Sequence, residues 1–152
     1  MEFSSPGSFQ PVEDMVGGGV FHLKPGQWTD DTSMALCLAE SLVEKNDVDP
    51  IDQLERYTRW WREGHLSSTR RCFGVGRTVM DALDRLERMR RPYCCFTRPN
   101  SAGNGSIMLL APVPLFFSSD ATKAIELSED SSRMTHEVCL ARRSFPEWQE
   151  PV

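Results

Sequence analysis

The sequence predicts an all-α domain, and three observations carry that expectation. Between positions 30 and 89, apolar residues recur at helical spacing in three separate runs. Each run is bracketed by residues that start or stop helices. The one Gly-x-Gly sequence, Gly74-Val75-Gly76, has no strand–helix–strand unit around it, so it is a weak dinucleotide signal.

Taken in order, residues 1–27 are rich in Gly, Pro and Ser, with Gly17-Gly18-Gly19 in the middle, and read as an irregular opening. From Asp30 to Glu44 the pattern is helical, with Met34, Leu38 and Leu42 every fourth residue and Ala35 and Ala39 beside them. A second helix starts at Asp49, the N-cap, with Pro50 at the first helical position. Leu54, Tyr57, Trp60 and Trp61 form its apolar side and Gly64 ends it. Trp60-Trp61 would also suit a stacking platform, but core packing is the commoner use.

After a polar loop over 66–71, a third helix follows Gly74-Val75-Gly76 and runs through Met89, with Val79, Leu83 and Leu86 inward. Arg88, Arg90 and Arg91 suit its negative C-terminal end. Residues 92–106 are irregular. The apolar stretch Ile107 to Phe117 predicts a buried helix, bent or stopped near Pro112 and Pro114. Two further helices are expected, Asp120 to Leu127 and Ser128 to Arg143. The expected organisation is one domain over 1–143 and a polar tail over 144–152.

Composition narrows the function classes. A chain of 152 residues is one ordinary domain in length. A mean hydropathy of −0.41 excludes a mainly membrane-embedded protein, and the stretch 107–117 is too short to span a bilayer. The net charge of −5 argues against direct nucleic-acid binding, which needs a basic face for phosphates. The five cysteines, at 37, 72, 94, 95 and 139, have no zinc spacing and are odd in number, so reduced thiols in the cytoplasm are expected. The N-terminus carries no basic stretch followed by an apolar one, so no secretory signal is expected.

Chemistry concentrates in Gly26-Gln27-Trp28-Thr29-Asp30-Asp31-Thr32. Two readings stay open for the four consecutive oxygen-bearing side chains Thr29, Asp30, Asp31 and Thr32. They suit the start of a helix, where such oxygens accept from unpaired N–H groups. They equally suit a hard divalent cation such as Mg²⁺. Farther on, Asn100-Ser101-Ala102-Gly103-Asn104-Gly105-Ser106 is either a plain turn or a backbone nest for an anion. His136 lies on an expected helix, where a histidine is more often structural than chemical.

Three patches stand in a recognisable order: Gly26-x-Trp28-Thr29-Asp30-Asp31-Thr32-x-Met34, then Ala102-Gly103-Asn104-Gly105-Ser106-Ile107-Met108-x-x-Ala111-Pro112, then Ser131-Ser132-Arg133-x-Thr135-His136. Together they closely resemble the ADP-ribosylglycohydrolase family, which includes the dinitrogenase-reductase-activating glycohydrolases. Trp61-Arg62-Glu63-Gly64 and Ser67-Ser68-Thr69 resemble its bacterial branch. The resemblance implies a partial orthogonal helical bundle, with two Mg²⁺ (or Mn²⁺) ions expected in the complete family site. It implies hydrolysis of the bond at ribose C1″ of ADP-ribose, with an ADP-ribosylated protein as partner.

By the same resemblance, Thr29, Asp30 and Asp31 are metal ligands, and Glu2, Asp30 and Asp31 share the catalytic acid–base work. Ser101, Ala102, Gly103, Asn104 and Gly105 line the ADP-ribose site, and His136 faces the nucleotide. The chain departs from the family pattern in three places. A Gly-Asp-Ala-Leu-Gly-like helix before Glu2-Phe3 is absent, Leu109 stands where Arg is usual, and no later Asp-x-Asp-Thr-like motif follows. A domain truncated at both ends, weakly active or inactive, is therefore expected. The alternative is a non-catalytic ADP-ribose-binding or structural member, as the scaffold's use as a lens crystallin illustrates. A Mg²⁺-dependent phosphohydrolase would share the acidic cluster but leave the other two patches unexplained.

Overall fold

Met34, Cys37, Leu38 and Leu42 fall on one face of the first helix, α1 (Asp30–Lys45), and all four are buried. The structure, a computed structural model, describes residues 5, 7–8, 11, 13–93 and 105–136. Five further helices follow: α2 (Pro50–Glu63), α3 (Arg77–Met89), α4 (Gly105–Met108), α5 (Pro112–Phe116) and α6 (Ala121–His136). Among the described residues there is no strand; one isolated antiparallel bridge, Gly18 to Leu23, closes a turn in the opening segment. The fold is all-α, as the sequence predicts.

α2 is bounded as its end residues dictate. The Asp49 carboxylate accepts from the N–H groups of Ile51 (3.0 Å) and Asp52 (3.1 Å), and Pro50 follows it. At the far end Gly64 takes φ +73°, and a Cβ there would lie 2.4 Å from the Arg70 carbonyl. Only glycine fits that turn.

One core joins the layers: Leu38 and Leu42 from α1, Leu54, Tyr57 and Trp60 from α2, Leu83 and Leu86 from α3, with Leu109, Val113 and Met134. Each such side chain, fully buried, contributes about 1.5–3 kcal/mol of transfer free energy. Trp60 is fully buried, while Trp61 is half-buried under the Arg62 guanidinium, 3.7 Å from its ring centroid. Packing is thus the role of Trp60.

Two polar networks pin the helices. Arg56 of α2 is buried and meets Asp52 at 2.6 Å, Glu40 at 2.5 Å and Glu44 at 2.6 Å, tying α2 to α1. Gln53 Nε2 donates to Tyr57 Oη (2.9 Å) and to Ser131 Oγ (3.0 Å), tying α2 to α6. Ser131, in the third family-like patch, is therefore a structural anchor.

Two expectations need correction. The stretch 107–117 does stop before Pro112, as expected, but it divides into α4 and α5, separated at Leu109 to Ala111, and is not buried throughout. Pro112 and Pro114 offer no N–H to continue the ladder. Only its inner residues Leu109, Val113 and Phe117 are buried; Ile107 and Leu115 are each 74% exposed. Nor does a break fall at Ser128, because α6 is continuous from Ala121 to His136. Ala124, Ser131, Met134 and Thr135 make one unbroken buried stripe at helical spacing, which outweighs the local Ser-Glu-Asp start signal. The expected helix beyond His136 and the 144–152 tail lie outside the described residues.

Candidate active site

The acidic motif is held by the loop after α2. Gln27 Nε2 donates to the Ser68 carbonyl (3.1 Å) and Trp28 Nε1 to the Leu66 carbonyl (3.2 Å). Ser68 Oγ donates back to the Trp28 carbonyl at 2.6 Å. The loop is stiffened in turn by Ser67 Oγ, which donates to the Arg71 carbonyl at 2.7 Å. Through these contacts the Gly64 and Ser67-Ser68-Thr69 patch braces the segment that delivers Thr29, Asp30 and Asp31.

Those three residues line a cavity of about 230 Å³. The start of α1 supplies one wall, and Gly76, Thr78 and Val79 at the start of α3 supply another. Gly105, Met108 and Leu109 close a third side, and His136, the last described residue of α6, reaches the same space. Phe21 completes it from the opening segment, its ring edge-on to Phe73 at 5.1 Å. The N-terminal ends of two helices longer than three turns, α1 and α3, meet here, and helix N-termini favour anions.

Thr29 occupies the N-cap position of α1, but its side chain makes no capping hydrogen bond. The expectation of a side-chain-capped helix start is corrected on that point. The Thr29 carbonyl accepts the first bond of the helical ladder from Ser33 N–H (3.2 Å) and a second from Ser33 Oγ (3.0 Å). Thr29, Asp30 and Asp31 are half-buried at the cavity, whereas Thr32 is exposed and outside it.

Two glycines are set by close approach. At Gly74, with φ +76°, a Cβ would sit 2.6 Å from Asp30 Oδ1. At Gly105 a Cβ would lie 3.0 Å from His136 Nε2. The other imidazole nitrogen, Nδ1, is 2.8 Å from Thr135 Oγ1. Burial pushes the His136 pKa below its ordinary value of 6.5, so the ring is neutral at pH 7. Beside Asp30, the Cys72 thiol is pushed up to about 11, first by burial and then by the aspartate charge. It is no nucleophile at neutral pH.

Of the residues singled out by sequence, the structure brings Thr29, Asp30, Asp31, Gly105 and His136 to one cavity. Glu2, Ser101, Ala102, Gly103 and Asn104 lie outside the described residues. Sequence reasoning missed Phe21, Gly74, Gly76 and Thr78. The Gly-x-Gly signal was there, but it belongs to the wall against Asp30 and not to a dinucleotide motif. Leu109, at the position where the family pattern has Arg, is 2% exposed and packs into the core while touching the cavity.

The donor set suits a hard cation. One hydroxyl and two carboxylates are the oxygen ligands that Mg²⁺ and Mn²⁺ take. The number fits one side of such a shell: among the described residues, no group of three or more His, Cys, Asp or Glu side chains is placed to hold a metal.

Comparison with known proteins agrees with the geometry. The ADP-ribosylglycohydrolase family model matches residues 1–141. The chain belongs to the ADP-ribosylglycohydrolase family, whose members cleave glycosidic bonds. It is 42% identical over 125 residues to the ADP-ribosylarginine hydrolase Tri1 of Serratia proteamaculans, covering 82% of this chain and 34% of that protein. It is 35% identical over 101 residues to the ADP-ribosyl-[dinitrogen reductase] glycohydrolase of Rhodospirillum rubrum, covering 66% and 32%. Among solved structures, an ADP-ribosylglycohydrolase-related protein complex matches with a TM-score of 0.71 at 39% identity, covering 91% of this chain and 43% of that one. The chain spans about a third of the length of these curated relatives.

Proposed function

We propose that this chain carries part of the active site of a Mg²⁺-dependent hydrolase that removes ADP-ribose from modified proteins. The single observation behind the reading is the convergence of Thr29, Asp30, Asp31, Gly105 and His136, distant in sequence, on one cavity. Cleavage at ribose C1″ develops positive charge on the ribose carbon and needs a water relieved of a proton. The carboxylates of Asp30 and Asp31 suit both needs, by charge and as proton acceptors. Neutral His136 accepts or donates a hydrogen bond to a nucleotide without adding charge. The helix starts of α1 and α3 favour the diphosphate.

Thr29, Asp30 and Asp31 would hold the cation, which when bound orients ribose hydroxyls and lowers the pKa of a coordinated water. Arginine-linked ADP-ribose is the first substrate class to test, since the Serratia relative is named for it. The reading includes a reducing, cytoplasmic compartment, supported by the free thiols at Cys37 and Cys72. No helix among the described residues is long and apolar enough to cross a membrane.

The test is release of ADP-ribose from an arginine-modified protein, with Mg²⁺ and with a chelator, beside calorimetry with ADP-ribose. Mg²⁺-dependent release supports catalysis. Binding without release favours the non-catalytic reading, to which the one-sided donor set already lends weight. No binding in either condition sinks the hydrolase and the ADP-ribose-binding readings and favours a structural member.

A further inference from the structure

A second cavity, of about 270 Å³, lies beside the first and is lined by Phe21, Leu23, Thr69, Arg71, Cys72 and Phe73. Phe21 belongs to both cavities, and the chain passes from the second to the first between Phe73 and Gly74. Phe21 is carried on a closed turn: Gly18 N–H donates to the Leu23 carbonyl at 2.8 Å, and Leu23 N–H donates back to the Gly18 carbonyl at 3.0 Å. Gly18 and Gly19 take φ +121° and +70° there, a path that suits glycine and sets where the Phe21 ring stands. Across the cavity the Thr69 hydroxyl is occupied by the Arg71 carbonyl, to which it donates at 3.1 Å. Arg71 itself is exposed and its guanidinium meets no carboxylate among the described residues, whereas Arg56, Arg62, Arg88 and Arg90 each meet one.

Apolar walls with one unmatched cation suit a side chain that has an aliphatic stem and an anionic end, since a guanidinium pairs best with a carboxylate. They suit a nucleobase less well. Phe21 and Phe73 stand edge-on, with 66° between their planes, and offer no pair of parallel faces for a base to enter. No residue of α4 or α6 lines this cavity, so it stands apart from Gly105 and His136, to which the proposed function gives the nucleotide. With the nucleotide there, the group on ribose C1″ is the part left to extend past Phe21. We infer that the second cavity is an acceptor-side subsite, which takes an acidic side chain next to the modified residue of the target polypeptide. Its carboxylate meets Arg71 and its stem lies against Phe21, Leu23 and Phe73. The inference rests on the proposed function and adds to it a sequence preference in the target.

Cys72 lines the same cavity and reports its occupancy. Alkylation of Cys72 by iodoacetamide is followed by mass spectrometry, in alkaline solution because burial pushes the thiol up to about 11. The full chain with Mg²⁺ is given ADP-ribose, an arginine-ADP-ribosylated peptide with Glu beside the arginine, the same peptide with Ala there, and the unmodified Glu peptide at high concentration. The modified Glu peptide should at least halve the alkylation rate, and ADP-ribose should not change it. By calorimetry, or by kcat/KM where there is turnover, the modified Glu peptide should be favoured over the Ala one about three- to fivefold, as for a partly exposed ion pair. Arg71→Ala should remove that preference and leave ADP-ribose affinity as it was. Equal affinity for the two modified peptides, or a preference that survives Arg71→Ala, overturns the inference. So does protection of Cys72 by ADP-ribose alone, which would give the cavity to the nucleotide. If no ADP-ribosylated probe binds, the proposed function falls and the unmodified peptide decides the subsite. Protection of Cys72 that Arg71→Ala abolishes then keeps it, and no protection overturns it.

Discussion

Gly74 lies against Asp30 so closely that the smallest side chain would meet its carboxylate: a Cβ would stand 2.6 Å from Oδ1. The loop before α3 thus fixes where an α1 carboxylate can point. Gly74→Ala should act in two ways. The residue has φ +76°, so the substitution strains the backbone, costing about 1 kcal/mol or more. It also turns the Asp30 carboxylate away, since that group is the movable partner. Mg²⁺-dependent ADP-ribose binding should fall more than stability does, as calorimetry and thermal unfolding on one preparation will measure. Equal loss of both would mean that Gly74 serves the fold alone.

Asp30→Asn and Asp31→Asn separate cation binding from helix start. Neither change removes a Thr29 side-chain cap, because none exists, and the first-turn charge contributes only about 0.3–1 kcal/mol. The Tm of each variant measures what the fold loses. The effect of Mg²⁺ on ADP-ribose binding should be lost in both variants. Retention of the Mg²⁺ effect in either one would remove that carboxylate from the proposed ligand set.

Much of this was legible in the sequence, and the reasons for the rest are physical. Asp49-Pro50 and Gly64 bound α2 because each makes a local contact that its residue type announces. Gly74 and Asp30 are silent, because what makes that glycine necessary is a partner on another helix. The stretch 107–117 misleads because it is apolar throughout, and periodicity cannot mark the inner face of a segment that has no polar one. The motif Thr29-Asp30-Asp31 reads two ways in sequence, since capping and cation binding use the same oxygens; the structure adds only that the Thr29 side chain does not cap.

His136 gives a pH signature. Burial disfavours its charged form, so its pKa in the folded chain lies below 6.5. The sign follows: the unfolded chain takes up the proton first, so this group's contribution is present above 6.5 and lost as pH falls through the folded value. NMR titration of the His136 ring should give a midpoint below its ordinary value of 6.5. A midpoint at or above it would mean that the imidazole is open to water and does not face a closed cavity.

Arg56 should be the charged residue whose loss costs the fold most. Its guanidinium is buried and meets three carboxylates, from Glu40, Glu44 and Asp52. Burial alone would raise the Glu40 and Asp52 carboxyls; for Glu40, hydrogen bonds from His65 and Arg56 reverse this, and for Asp52 the hydrogen bond and charge of Arg56 do. Both are held below their ordinary values of 4.5 and 3.8. The stability they contribute is present above those values and lost as pH falls through the lowered ones. Arg56→Met should cost about 1–3 kcal/mol at neutral pH, by leaving partly buried carboxylates without their main cation. In that variant burial still opposes ionisation, so protonation relieves the penalty instead of adding to it. The gap in Tm between wild type and Arg56→Met should therefore be wide at pH 7 and narrow below about pH 4. Glu44→Gln should change Tm far less, since Glu44 is 59% exposed and such pairs contribute about 0–1 kcal/mol. A gap that stays constant across that range would assign Arg56 a packing role through its aliphatic stem and not an ionic one.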